Sequence, residues 1–203
     1  MTSTNISDTR LAILRAAETL FADKGIDSVS LREIATAAGQ GNNSAVLYHF
    51  TSKVGLLNAL LERHSDPIQL AWLVTLRHME AEGHDSLEEL VGLLVRPLVE
   101  KLDDLDGGTS YLLVVAQLVG SRTFPIMDFP ATSSPGVVAV IDRLMRHASP
   151  GSDSMQLLRM IRVADVLYGS IAAYHRLNSV SAEVDRDEFV DDLIEAICAL
   201  VRA

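Results

Sequence analysis

The stretch that most constrains this chain is residues 30–57, SLREIATAAGQGNNSAVLYHFTSKVGLL, which reads as two short helices joined by a glycine turn and the start of a third. Ser30 with Glu33 forms a capping box, in which each side chain satisfies an orphan amide at the helix start. Leu31, Ile34, Ala35 and Ala38 then recur at i, i+3, i+4 and i+7, one apolar helix face. Gly39 follows where a left-handed stop is cheapest. After the polar turn Gln40–Asn43, Val46 and Phe50 point into the same core, leaving Asn43, Ser44, Ala45, Leu47, Tyr48 and His49 outward. Small, amide and hydroxyl groups on one exposed face suit a helix entering the major groove of DNA, where amides and hydroxyls read base edges. Lys53, behind a Thr51 or Ser52 cap, sits where a helix N-terminus and a cation would hold a phosphate.

Residues 10–57 resemble the DNA-binding region of the TetR family of bacterial regulators. The resemblance rests on ILRAAETLFADKG, on SLREIATAAG, and on the closing set Tyr48, His49, Phe50, Ser52 and Lys53. It implies a helix-turn-helix head in which Ser30, Arg32, Asn42, Asn43, Ser44, Ala45, Leu47, Tyr48, His49 and Lys53 face double-stranded operator DNA. The sequence departs from the family pattern at three places. The turn GQGNNS is one residue longer than the commonest form. Leu47 stands where many relatives carry a phosphate-binding tyrosine, which passes that role to Tyr48. Val54-Gly55 replaces an acidic pair, so the start of the fourth helix is expected to be less stable.

The net charge of −10 is unevenly spread. Residues 1–64 hold six Lys/Arg against six Asp/Glu, and residues 65–203 hold eleven against twenty-one. The acid lies where it discourages non-specific binding, and phosphate contact must rest on a few placed cations and backbone amides. The single cysteine, Cys198, excludes an internal disulfide and fits a reducing cytoplasm. The start MTSTNISDTR lacks the apolar segment of a signal peptide, and no run is long enough to span a bilayer.

The expected architecture is all-α. Met1 to Ser7 reads as a polar arm, and Ser7 or Asp8 caps a first helix to about Lys24, with Ile13, Leu14, Ala17, Leu20 and Phe21 inward. A fourth helix carrying Leu56, Leu57, Leu60 and Leu61 links the head, residues 1–64, to a second domain, residues 65–203, with the boundary at Arg63–Pro67. That domain reads as helices over about 68–81, 87–102 (bent at Pro97), 111–120, 137–147, 154–177 and 187–202, with an irregular proline-rich segment at 121–136. The segment YLLVVAQLVG is apolar all round and should be buried on every side.

The last helix carries Phe189, Val190, Leu193, Ile194, Ile197, Leu200 and Val201, more than one face can hide. With Leu157, Ile161 and the small run Gly169–Ala173 before it, two helices per subunit would make a four-helix homodimer interface through Leu157, Ile161, Leu193, Ile197 and Leu200. TetR relatives dimerise in this way. Trp72, Leu76, Met79, Tyr111, Gln117 and Tyr168 are the candidate lining of a small-molecule effector site, and a filled core is an equal alternative for them. His78 and Glu82 stand at metal spacing, but a solvated helix face is the better reading by about ten to one. No Ser/His/Asp arrangement, Gly-rich phosphate loop or metal cluster is present, so no catalytic residue, metal or cofactor is assigned. The combined expectation is a homodimeric, ligand-responsive regulator released from a palindromic operator. A helical interaction module without DNA binding, and less readily a small-molecule enzyme, are the alternatives.

Overall fold

The computed structural model describes residues 3–83, 86–180 and 183–203. Those residues form helices and no strands. In chain order the helices are α1 (Ser3–Lys24), α2 (Leu31–Ala37), α3 (Ser44–Phe50), α4 (Lys53–Glu82), α5 (Leu87–Glu100), α6 (Gly108–Val119), α7 (Pro135–Arg146), α8 (Asp153–Val180) and α9 (Arg186–Arg202). Two short 3₁₀ turns, Ile126–Asp128 and Pro130–Ser133, occupy the proline-rich segment. No helix is long and apolar enough to cross a membrane among the described residues.

The head is α1 to α3 with the start of α4. Ile13, Leu14, Ala17 and Phe21 of α1 are buried against Ile34 and Ala35 of α2, Val46 and Phe50 of α3, and Leu56, Leu57 and Leu60 of α4. The helix-turn-helix follows its expected bounds, and the capping box is formed: the Glu33 N–H donates to Ser30 Oγ at 3.2 Å, and the Ser30 N–H donates to Glu33 Oε2 at 2.9 Å. The expected N-terminal arm is corrected, because α1 already begins at Ser3. Met1 and Thr2 lie outside the described residues.

The helix break expected at Arg63–Pro67 is not formed. α4 runs unbroken for 30 residues, about 45 Å at the rise of an α-helix, and merges the two helices expected on either side of Pro67. Pro67 removes one backbone donor, yet its neighbours Leu61, His64, Ser65, Ile68 and Gln69 are buried, and α4 packs on α1, α6 and α7. Side-chain burial on both sides of the ring holds the helix through the defect. One rigid element therefore belongs to both halves of the chain.

Around the upper half of α4 the second half of the chain builds a bundle in which α6 packs on α8 and α1, α9 on α5 and α8, and α7 on α4 and α5. α6 buries Tyr111, Leu112, Val114, Val115 and Leu118, in line with its apolar sequence. The expectation for α9 fails. Leu193 is 2% exposed and Ile197 fully buried, because this stripe lies between α5 and α8, while Asp191, Asp192, Glu195, Ala196 and Ala199 face outward. Leu193 and Ile197 are thus covered by helices of their own chain. Leu200 is half-buried. The apolar residues α8 leaves exposed include Met155, Leu157, Leu158, Leu177 and Val180.

Candidate DNA interface and small-molecule cavity

The outward face of α3 is assembled by a turn that uses its own side chains. Asn42 Oδ1 accepts the Ser44 N–H at 2.8 Å, which closes the turn before the helix. Asn43, at the N-cap, makes no capping bond, so its amide stays available. Asn42, Asn43, Ser44, Leu47 and Tyr48 are exposed, Ala45 and His49 half-buried, and Arg32 projects from α2. Tyr48 is 74% exposed and stands edge-on to His49, ring centroids 5.1 Å apart. Ser30 is less free than expected, since its hydroxyl donates to Glu33 Oε2 at 3.0 Å while capping α2. Arg10, not anticipated from the sequence, places its guanidinium 5.1 Å over the Phe50 ring at the end of α3.

Lys53 departs from expectation. Its ammonium turns inward, donating to the carbonyls of Ile26 and Val29, the latter at 2.7 Å, and lies 5.6 Å from the Phe21 and Phe124 ring centres. Burial lowers its pKa from the ordinary lysine value. The side chain thus ties α4 to the α1–α2 loop, because those two carbonyls end outside any helix and need donors. In this structure its ammonium is engaged by backbone rather than presented outward.

The junction between α3 and α4 is tight. Thr51 has φ of 61°, in the region that disfavours a side chain. Ser52 then caps α4 through the Gly55 N–H at 3.0 Å. A Cβ on Gly55 would meet the Phe50 carbonyl oxygen at 2.1 Å, so this position admits no side chain at all. Gly55 is there for close approach, and that outweighs the helix propensity it sacrifices.

Besides the packing of α1 on α6 and the Lys53–Phe124 contact, two polar contacts join the head to the bundle. Gln117 of α6, expected as a polar tip in the ligand site, instead accepts the Ile26 N–H and donates to the Phe21 carbonyl, each at 2.9 Å. The second is an ionic cluster. Glu18 of α1, 1% exposed, accepts from Arg63 at 2.7 Å and lies 3.0 Å from His64 Nε2. Arg63 reaches on to Asp106, which also accepts from Arg15 at 2.8 Å. Bonding to Arg15 and Arg63 lowers the Asp106 carboxyl to a pKa of about 2. Gly107 makes this possible, since a Cβ there would come within 2.4 Å of Glu18 Oε2. The His64 ring stacks on Tyr111 with centroids 4.9 Å apart, and the Tyr111 hydroxyl lies near that of Tyr168. Burial pushes the Tyr168 hydroxyl up to about 12.

Those two tyrosines form one wall of a cavity of about 340 Å³, within the range that holds small molecules. Trp72, Tyr111 and Tyr168 line it as expected; Leu76 and Met79 are buried in the helical core but do not line it. Leu157 and Ile161, expected at a dimer interface, line it too. Ser65 and Gln69 of α4 were missed, although their i, i+4, i+7 spacing with Trp72 on one helix face was readable once the helix break expected there is removed. Among the described residues no group of three or more His, Cys, Asp or Glu is placed to hold a metal.

Residues 13–60 match the family described as bacterial regulatory proteins, tetR family. No curated protein matches the chain. Among solved structures the chain is similar to NalD, the secondary repressor of the MexAB-OprM multidrug efflux pump in Pseudomonas aeruginosa, at 20% identity, 98% of each chain and a TM-score of 0.60. A protein from Rhodococcus sp. described as a TetR-family transcriptional regulator matches at 21% identity over 96% of this chain and 99% of its own, TM-score 0.52. Another so described, from Mesorhizobium loti MAFF303099, matches at 21% identity over 100% of both chains, TM-score 0.51. At these identities the likeness establishes the shared fold.

Proposed function

We propose that this chain, a TetR-family protein by its head and its fold, is a one-component transcriptional regulator that represses from a near-palindromic operator and is released by a small molecule. The observation that carries the reading is a single helix. α4 begins at the end of the exposed α3 face and, further along, forms a wall of the apolar cavity. Asn43, Ser44 and His49 are assigned to base edges, and Arg32, Tyr48 and Arg10 to phosphates. A homodimer sets two α3 helices in successive major grooves, about 34–36 Å apart. The outer faces of α8 and α9 form that interface, where Gly169, Ala173, Ala196 and Ala199 are small enough for close helix packing and Leu158 supplies exposed apolar surface. The protein acts in the cytoplasm, where its operator is.

Occupancy of the cavity opposes operator binding only if the ligand favours one α4 position over another, and operator DNA then weakens ligand binding by the same factor. The test is footprinting on DNA flanking the protein's own gene. Protection of an inverted repeat is expected, and Asn43→Ala should cost about 1–3 kcal/mol and relax preference at one operator position. No protection at micromolar protein would leave the second reading, a helical interaction module without DNA binding. The inward turn of Lys53 and the balanced charge of the head favour that alternative.

A further inference from the structure

The cavity carries an asymmetry that its apolar character conceals. Its lining contains no Asp, Glu, Lys, Arg or His, so it offers nothing to pair with an ionic ligand. Three of its polar residues, Ser65, Gln69 and Trp72, share one face of α4. Ser65 is 8% and Trp72 5% exposed. Ser65 Oγ and Trp72 Nε1 are both buried with no hydrogen-bond partner among the described residues. An indole N–H is a donor only, so it calls for an acceptor. A buried donor left unpaired is costly, and sites that keep one commonly satisfy it with a ligand or an ordered water. Tyr111 and Tyr168 stand on other helices, α6 and α8, and the buried lining atoms without a partner are those of Ser65 and Trp72 on α4.

We infer that the effector is a neutral, largely apolar molecule bearing a carbonyl-type acceptor, received by the Trp72 indole N–H, with the Ser65 hydroxyl as a second unpartnered group two turns earlier on the same helix face. The inference rests on the reading of this cavity as an effector site, and adds the ligand's chemistry and the helix that reads it. An acceptor placed there bonds directly to the helix that carries the head.

Three probes of one shape and different polarity test it: 1-acetyladamantane, 1-ethyladamantane and adamantane-1-carboxylate. Binding is measured on free protein by calorimetry, and by the emission of Trp72, the one tryptophan of the chain. The ketone should bind about 2- to 10-fold more tightly than the hydrocarbon, the range of one net hydrogen bond, and change the tryptophan emission. The carboxylate should not bind. Trp72→Phe should remove the preference for ketone over hydrocarbon while hydrocarbon binding persists. Ser65→Ala, a smaller change, should reduce the preference without loss of fold. Equal binding of ketone and hydrocarbon, tighter binding of the carboxylate, or no binding of any probe would overturn the inference. Ketone binding that leaves a footprinted operator occupied would uphold it and count against release by ligand instead.

Discussion

Replacing Gln117 by leucine tests whether the head and the bundle are joined by specific bonds. The side chain keeps its approximate length and loses both polar atoms. The Ile26 N–H, on a residue 4% exposed, loses its acceptor at 2.9 Å, and an orphaned buried donor costs about 1–3 kcal/mol. The Phe21 carbonyl loses one donor but still accepts the Gly25 N–H at 3.1 Å, a loss of about 0.5–1.5 kcal/mol. Leucine packing returns part of this, so the net cost is about 1–4 kcal/mol, a fall in melting temperature of roughly 2–16 °C for a chain of this size. Gln117→Glu keeps the acceptor for Ile26 and should fall between the two. Calorimetry gives the global figure. Hydrogen exchange at the Ile26 amide gives the local one, protected in the wild type and fast in Gln117→Leu. If that amide exchanged equally in both proteins and the melting temperatures agreed within about 1 °C, below the smallest predicted shift, the two bonds would not hold the head.

Lys53→Ala should destabilise the protein by about 1–3 kcal/mol, because two carbonyls lose a charged donor, and should leave the salt dependence of DNA binding unchanged. A salt slope lowered by ~1 at unaltered stability would restore Lys53 to the phosphate contacts. The depressed Asp106 carboxyl contributes stability that is fully present above the ordinary aspartate pKa and is lost as pH falls towards about 2. Asp106→Asn should therefore be less stable than the wild type at neutral pH, and the two should converge near the acid limit in pH-dependent denaturant unfolding. Leu193→Asp buries a charge in the bundle and should unfold it, a cost above about 4 kcal/mol. Leu158→Asp, on the exposed face of α8, should stay folded and sediment as a monomer at micromolar concentration, where the wild type should sediment as a dimer.

The helices were legible because each carries its own signal: the capping box at Ser30, the i, i+3, i+4 spacing around Ile34, the glycines that close α1 and α2. What escaped was side-chain direction over long sequence separations. Lys53 has a residue type and position suited to phosphate, but its acceptors are backbone carbonyls of Ile26 and Val29, which no sequence pattern marks as unsatisfied. Gln117 looked like a polar tip in an apolar helix because its partners, in the Phe21–Ile26 corner, lie 91 and 96 residues away. Pro67 reads locally as a break, and only the packing of α1, α6 and α7 on α4 shows why it is not one. In α9 the excess of apolar positions was real, but α5 and α8 of the same chain absorb the stripe through Leu193 and Ile197. Hydrophobic pattern counts surfaces to be covered and does not say whose surface covers them.

The stiffness of the α3–α4 corner has a mechanical consequence. With Gly55 hard against the Phe50 carbonyl, Ser52 capping and Lys53 bolted to the α1–α2 loop, there is little slack at that corner to absorb a displacement. Trp72 stands 19 residues beyond Lys53, a lever arm of about 28 Å at 1.5 Å per residue. A tilt of about 5° pivoting at Trp72 would swing the far end by roughly 2.5 Å, nearly the length of a hydrogen bond to a base edge. Two mirrored arms would move the pair of reading heads by up to twice that, enough to take them out of step with the groove.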